Sequence, residues 1–389
     1  MQTVHLKPGK ERRILKGHRW IFSNEIADSL ANFEPGHWVK VFTAKGSYLG
    51  SGYLNPSSLI TVRLVCLPGQ EPNKDFFFSL LRNADHRRSR TLYPASACYR
   101  VVFGESDGLP GLVVDRYGDV IVYQVTTLGM TKLEQLFQEL LIDLYGPSAV
   151  VFRNDIQVRE LEGLPLNKGV VHGAIPEEHW VSVEDLALHT DVINGQKTGH
   201  YLDQRDNRRA LIPWVRGKKV LDLFCYSGAW GLTAAMGGAA EVIGVDRSAT
   251  AIAQAQGNAV KNRLEAVTTF VEQDVFQYLK GIPRGAFDII VLDPPAFAKT
   301  KKSLPEAKKG YTDVNRRALL GLKQGGLLVS CSCSHHLSEE TFREVLLQAA
   351  QASGRQLRLI EARGQAKDHP MLLAMPETSY LKCLFLQVI

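Results

Sequence analysis

The chain has 389 residues, 45% of them hydrophobic and 22% charged, with a formal net charge of +6. That composition describes a globular protein too long for one hydrophobic core, so two or three domains are expected. The opening MQTVHLKPGKERR lacks the apolar core of a secretory signal, no apolar run approaches membrane-spanning length, and the six cysteines show no disulfide-like spacing. A membrane protein and a disulfide scaffold are therefore not expected; a cytoplasmic protein with reduced thiols is.

Residues 1–70 read as a small β-rich unit. Two short strands flank Lys45-Gly46 in HWVKVFTAKGSYLGSGYL (37–54), and LITVRLV (59–65) alternates as a half-buried strand does. LPGQEPNKD (67–75) is rich in turn formers and reads as a linker. Residues 71–185 read as an α+β unit. Asp75 is the expected N-cap of a helix over FFFSLLRNADHRRSR. Two strands follow in GLPGLVVDRYGDVIVYQV (108–125), then a helix over 131–146 with Leu133, Leu136, Phe137 and Leu140 on one face.

From residue 186 to 389 strands and helices alternate, the sign of a parallel sheet covered on both faces. Strands are predicted at 219–224, 241–246, 267–274, 287–293 and 326–332. Helices are predicted after Ser248, over 313–322 with Gly325-Gly326 as the stop, and after the cap Ser338.

Basic residues cluster three times: Lys7, Lys10, Arg12, Arg13, Lys16 and Arg19; Arg82, Arg87, Arg88 and Arg90; and Lys299, Lys301, Lys302, Lys308 and Lys309. Such groups suit phosphate backbones, or a solvated face.

The α/β region carries a cofactor pattern. VLDLFCYSGAWG (220–231) is a strand ending in an acid, then a glycine-containing turn into a helix. In open parallel sheets ligands bind beyond the carboxyl ends of such strands. A dinucleotide would need G-x-G-x-x-G to cradle its pyrophosphate, and here one glycine is missing and Trp230 stands in the loop. S-adenosylmethionine has no pyrophosphate and needs no such fingerprint. Four acids end successive strands: Asp222, Asp246, Asp274 and Asp293. Asp246 is placed for ribose hydroxyls and Asp274 for the adenine amino group. Phe224, Ser227 and Gly228 in the turn, with Arg247 beside Asp246, complete this part of the expected pocket. DPPAF (293–297) gives a stiff loop facing the cofactor.

GQKTGHYLDQRDNR (195–208), LDLFCYSGAWG, LDPPAF, SCSCSH and DHPMLLAMPETSYLK (368–382) together resemble the 23S ribosomal RNA cytosine-C5 methyltransferase family over nearly the whole chain. The resemblance implies an N-terminal PUA RNA-binding domain, a small central α+β domain and a C-terminal class I, Rossmann-like methyltransferase domain. It implies S-adenosyl-L-methionine as cofactor, with Gln196, Thr198, Gly199 and Tyr201 lining the pocket ahead of the first strand. The residues of GQKTGH also fit a plain glycine-bounded turn. The implied partner is ribosomal RNA of the large subunit or its assembly intermediate; a homodimer is left open.

Methylating carbon 5 of cytosine requires a thiolate to add at C6, because C5 of the intact ring is a poor nucleophile. Cys331 and Cys333 point to one face of a strand, with Cys331 roughly 6–7 Å deeper. Cys333 is the expected nucleophile, and the family's Cys-Ser motif falls on Cys333-Ser334. Asp293 is expected to hold the cytosine edge at N3, and His335, Cys331 or a water to take the C5 proton. Ala296 stands after Pro294-Pro295 where many RNA cytosine-C5 methyltransferases carry a second cysteine. A metal centre is not expected: Cys331, Cys333, His335 and His336 have no second ligand pair, and a strand end cannot wrap one ion. Methylation of a guanine or adenine nitrogen needs no thiol and is the alternative, with an RNA-binding adaptor and a dehydrogenase behind it.

Overall fold

The computed structural model describes residues 1–298 and 300–389, so Lys299 of the third basic cluster lies outside the described residues. The chain forms two compact units. The first comprises Met1–Val181, Thr190–Leu202 and Lys367–Thr378; the second Ser182–His189, Asp203–Ala366 and Ser379–Ile389. Among the described residues no helix is long and apolar enough to cross a membrane.

The first unit is built on two sheets. The strands Trp38–Phe42 and Tyr48–Leu54 form the hairpin predicted around Lys45-Gly46, and Ile60–Cys66 continues that sheet. Strands Gln2–His5 and Trp20–Phe22 complete it, and Val4, Ile21, Val39, Val41 and Val62 form its core. The second sheet runs Asn167–Gly173, Ala149–Asn154, Val120–Val125, Leu112–Tyr117, Cys98–Phe103 in spatial order. Helices Lys74–His86 and Glu134–Tyr145 supply it with Phe77, Leu81, Phe137 and Leu140.

Two boundaries differ from expectation. The cap of the first helix is Asn73, whose side chain accepts from the Phe76 amide at 2.8 Å; Asp75 falls inside the first turn. The second helix starts at Glu134, because Thr127 caps a separate short turn, Leu128–Thr131, before it.

The second basic cluster loses one member to the interior. The first helix continues as a π-helical turn, Arg87–Leu92, with Arg88 completely buried. Arg88 clamps Asp107 through Nη1 at 2.7 Å and Nη2 at 2.8 Å, and Nη2 also donates to the Asp368 carbonyl at 2.7 Å. Asp368 in turn accepts from the Arg100 amide at 2.9 Å and faces His369 Nδ1 at 2.7 Å. Such a clamp answers a desolvated guanidinium, and its burial puts Arg88 out of reach of a phosphate.

The second unit is an α/β sheet. Its strands are β1 (Lys219–Leu223), β2 (Glu241–Asp246), β3 (Thr268–Glu272), β4 (Phe287–Leu292), β5 (Leu322–Ser332), β6 (Leu357–Arg363) and β7 (Lys382–Val388). Their spatial order is β3-β2-β1-β4-β5-β7-β6. The first five run parallel, and β7 pairs antiparallel with both β5 and β6. After an opening helix, Arg205–Leu211, the helices between and beyond these strands are α1 (Ala229–Met236), α2 (Ala249–Lys261), α3 (Val275–Gly281), α4 (Leu304–Gly321) and α5 (Glu339–Ser353). Ser248 and Ser338 cap α2 and α5 as predicted.

Helix α4 starts well before residue 313, aided by Pro305 in its first turn. Gly325 and Gly326 do not stop it; they lie within β5. Strand β7 brings Cys383 opposite Cys331 and Lys382 opposite Ser332.

Candidate active site

The carboxyl ends of β1, β2, β4 and β5 gather the polar residues of the second unit. Asp222, near the end of β1, is completely buried. Its Oδ2 accepts from the Gly231 amide at 2.9 Å, tying the start of α1 to the strand, while Oδ1 has no partner among the described residues. Burial pushes its carboxyl up to about 7, with the charges of Asp293 and Asp246 adding to the rise.

The turn from β1 to α1 bends through positive φ at Phe224 (61°), Tyr226 (47°) and Gly228 (82°). A Cβ at Gly228 would lie 2.9 Å from the Phe270 ring and 3.0 Å from Ala255, so glycine is required there by φ and by space. Ser227 is buried, and its carbonyl accepts from Asn258 of α2 at 3.0 Å. Asp246 ends β2 half-buried, its Oδ2 accepting from the Tyr226 amide and Oδ1 from the Ser248 amide, both at 3.0 Å. The carboxylate thus fastens the β1 turn to the end of β2. Arg247 is exposed beside it. Asp274 lies past the end of β3 and caps α3, accepting from the Gln277 amide at 3.0 Å.

Asp293 follows β4. Its Oδ2 accepts from Gln204 Nε2 at 3.0 Å and Trp230 Nε1 at 3.1 Å. The loop beyond it is fastened to the end of β5. Ala298 donates to Ser334 Oγ at 3.2 Å, Phe297 packs on Tyr311 at 4.6 Å, and the Tyr311 hydroxyl contacts both Ser332 and Ser334. The DPPAF loop and the SCSCS strand end are thus one hydrogen-bonded assembly.

The two cysteines differ: Cys331 lies in β5, whereas Cys333, expected on the same strand, falls just past its end at Ser332. Cys331 is completely buried in an apolar cluster with Cys383. Burial pushes its thiol well above the ordinary range, with Cys383 and Asp293 adding to the effect. Cys333 is only partly buried. His335 is exposed, with its ring 5.5 Å from Tyr380, whose hydroxyl donates to Asp203 at 2.6 Å. Lys382 is 7% exposed and donates to the carbonyls of Ser334 (2.7 Å) and Tyr380 (2.8 Å).

The residues expected ahead of β1 belong to the first unit. Thr198 is completely buried, its hydroxyl donating to Asp115 at 2.5 Å and lying 2.8 Å from the Tyr117 hydroxyl. That makes it an anchor of its loop. Gly199 has φ 136° with Thr190 packed against it. Gln196 is exposed and accepts from the Tyr201 hydroxyl, and Lys197 lies over the Tyr201 ring at 5.1 Å.

Sequence reasoning missed Gln204, Trp230 and Lys382. Trp230 reads as an obstacle in a glycine loop, yet a buried indole N–H seeks an acceptor, and Asp293 is one.

The charge pattern decides what fits. Asp222 feels both Asp293 and Asp246, so three carboxyl groups share the strand ends. That field favours a cation and opposes a pyrophosphate. The partnerless oxygen of Asp222 and the narrow Gly228 turn suit a nucleoside carrying a sulfonium charge. Residues 169–372 match the S-adenosylmethionine-dependent methyltransferase family, and residues 4–66 match a PUA-like domain. The chain belongs to the S-adenosylmethionine-dependent methyltransferases.

Curated relatives of this methyltransferase include the "Ribosomal RNA large subunit methyltransferase I" of Aeromonas hydrophila subsp. hydrophila. It is 39% identical over 389 residues, covering 98% of each chain. The protein of that name from Shewanella frigidimarina is 39% identical over 392 residues, covering 99% of each. Among solved structures, a SAM-dependent methyltransferase from Streptococcus mutans covers 100% of both chains at a TM-score of 0.84 and 21% identity. A methyltransferase complexed with SAH does so at 0.86 and 22%. The methyltransferase therefore shares its fold with both, and S-adenosylmethionine is its cofactor.

Proposed function

We propose that this enzyme forms 5-methylcytosine in large-subunit ribosomal RNA, in the cytoplasm, through a covalent bond from Cys333 to the base. The observation that carries the reading is the contrast at the end of β5: a sealed Cys331 and an accessible Cys333 on one assembly with the DPPAF loop. The names of the relatives support the substrate class, and the PUA-like segment supports RNA as partner.

Bound S-adenosylmethionine supplies an electrophilic methyl group. Asp246, Asp222 and the Phe224–Gly228 turn would hold its nucleoside end, and Arg247 and Asp274 would serve the same end. The family resemblance is what assigns Gln196, Thr198, Gly199 and Tyr201 to the same cofactor; within the first unit Thr198 is the buried anchor of that loop. The Cys333 thiolate adds to C6 of cytosine, which breaks aromaticity and places electron density on C5. Asp293, oriented by Gln204 and Trp230, holds the base edge at N3. Once C5 is methylated, its proton leaves to a base and the C6–S bond breaks to return the thiolate. Cys331 is a poor base, because burial keeps its thiol protonated. His335 or a water takes the proton.

The test is RNA carrying 5-fluorocytidine in place of cytidine. Fluorine cannot leave as a cation, so the adduct is trapped after methyl transfer. A Cys333 peptide carrying the methylated fluorinated base, dependent on S-adenosylmethionine, is expected by mass spectrometry. Turnover on fluorinated RNA without any adduct would favour methylation of a base nitrogen.

A further inference from the structure

Lys382 sits where β7 passes the end of β5, opposite Ser332. It is nearly sealed from solvent. An ammonium has three N–H donors, and two are used on the carbonyls of Ser334 and Tyr380. Carbonyls carry no net charge, and among the described residues no carboxylate forms an ion pair with Lys382. A buried cation without a counter-ion is unfavourable unless a neighbour supplies the negative charge. Burial pushes the amine down to about 8, and the neighbour that most opposes this is Cys333, ahead of Glu339.

We propose that Lys382 is a positioning residue that keeps Cys333 as a thiolate, its ammonium gripping the carbonyl of the next residue, Ser334. The inference rests on Cys333 being the nucleophile. The interaction of two titrating groups is mutual: a thiolate that holds a proton on the lysine is itself favoured by that lysine. The other titratable groups at this end do not supply a positive charge. Tyr311 of α4 and Cys331 are neutral at pH 7, burial pushing both the phenol and the thiol further up. Glu339 at the start of α5 is spent on Arg343 at 2.6 Å. Asp293 opposes a thiolate, and His335 is turned to the ring of Tyr380.

The experiment is the pH profile of alkylation of the full chain by iodoacetamide, resolved at Cys333 by peptide mass spectrometry, with buried Cys331 as internal control. In the wild type the Cys333 midpoint should lie below the value of about 8.5 for a free thiol. Lys382→Gln should raise the midpoint by about one pH unit, so alkylation at pH 7 falls about tenfold. The kcat–pH profile should move up with it while KM for RNA stays put. Lys382→Arg should keep most of the wild-type profile. A wild-type midpoint at or above the free-thiol value overturns the proposal, whatever the variants do. So does an unchanged profile in a folded Lys382→Gln enzyme, and that outcome leaves Cys333 as nucleophile intact. Full turnover by Cys333→Ser would instead remove the nucleophile reading itself.

Discussion

The ends of β1 and β5 lie in one sheet and do opposite things. At the end of β1 the chain works through its backbone: a turn of positive φ angles, with Asp222 and Asp246 spending oxygens on the amides of Gly231, Tyr226 and Ser248. At the end of β5 it works through side chains, with a thiol, a buried ammonium and hydroxyls that lock the next loop in place. On the proposed mechanism the first end binds by shape and field and should lose function by degrees, while the second hosts bond making and should fail outright.

The sharpest test of that contrast is Cys333→Ser. A serine hydroxyl is a far weaker nucleophile at neutral pH, so methyl transfer should fall by about 10³-fold or more, equivalent to about 4 kcal/mol of barrier. Cofactor affinity by calorimetry should be unchanged, and Cys331→Ser should remain within about tenfold of wild type. If Cys331→Ser is the dead variant, the two cysteines exchange roles.

Next comes the buried acid of β1. Its carboxyl sits at about 7 in the folded protein and near 3.9 when unfolded, so the folded state binds its proton more tightly. Asp222 therefore contributes stability that is fully present below pH 4 and is lost as pH rises through 7. Asp222→Asn removes this dependence. In urea melts of the cofactor-free protein, the variant should gain on the wild type between pH 4 and pH 8, by on the order of a few kcal/mol. A difference that stays flat with pH would show that the carboxylate is solvated after all.

Asp246→Ala should act at the same end more gently. Losing a charge-assisted contact to the cofactor should weaken binding by about 1.5–3 kcal/mol, roughly tenfold to a hundredfold. Circular dichroism should stay native, and an unchanged dissociation constant would move the ribose elsewhere. The smallest effect is expected from the exposed pair on the loop after β4. Lys301→Ala with Lys302→Ala should reduce the slope of log affinity for RNA against log salt by about 1.4–1.8, leaving cofactor binding alone.

The two ends were unequally legible in the sequence. The β1 end was readable because its signals are local. An apolar strand, an acid, a glycine turn and the Ser248 cap follow one another, and the structure places each as expected. The β5 end hides its main partner. Lys382 is close to Cys333 only because β7 folds back antiparallel, and neither β6 nor β7 stood out by pattern. Trp230 and Gln204 converge on Asp293 from chain positions far from it, which spacing cannot show. Arg88 misled in the other direction: one arginine among four reads as surface, and only the pairing with Asp107 reveals a core residue.

The interleaving of the two units bears on how the protein is made. Lys367–Thr378 belongs with the N-terminal unit, where Asp368 receives Arg100 and Arg88. A ribosome therefore releases most of that unit long before its last piece. At about 5–20 residues per second, the delay between Val181 and Thr378 is roughly 10–40 s. During that interval the Arg88–Asp107 pair lacks its third partner, and the second unit still awaits β7 and with it Lys382. The first unit is complete only once Thr378 has emerged, and the second only once β7 has followed it. A chain cut after β6 would therefore leave both units incomplete, and truncation at a supposed linker is a poor way to isolate either one.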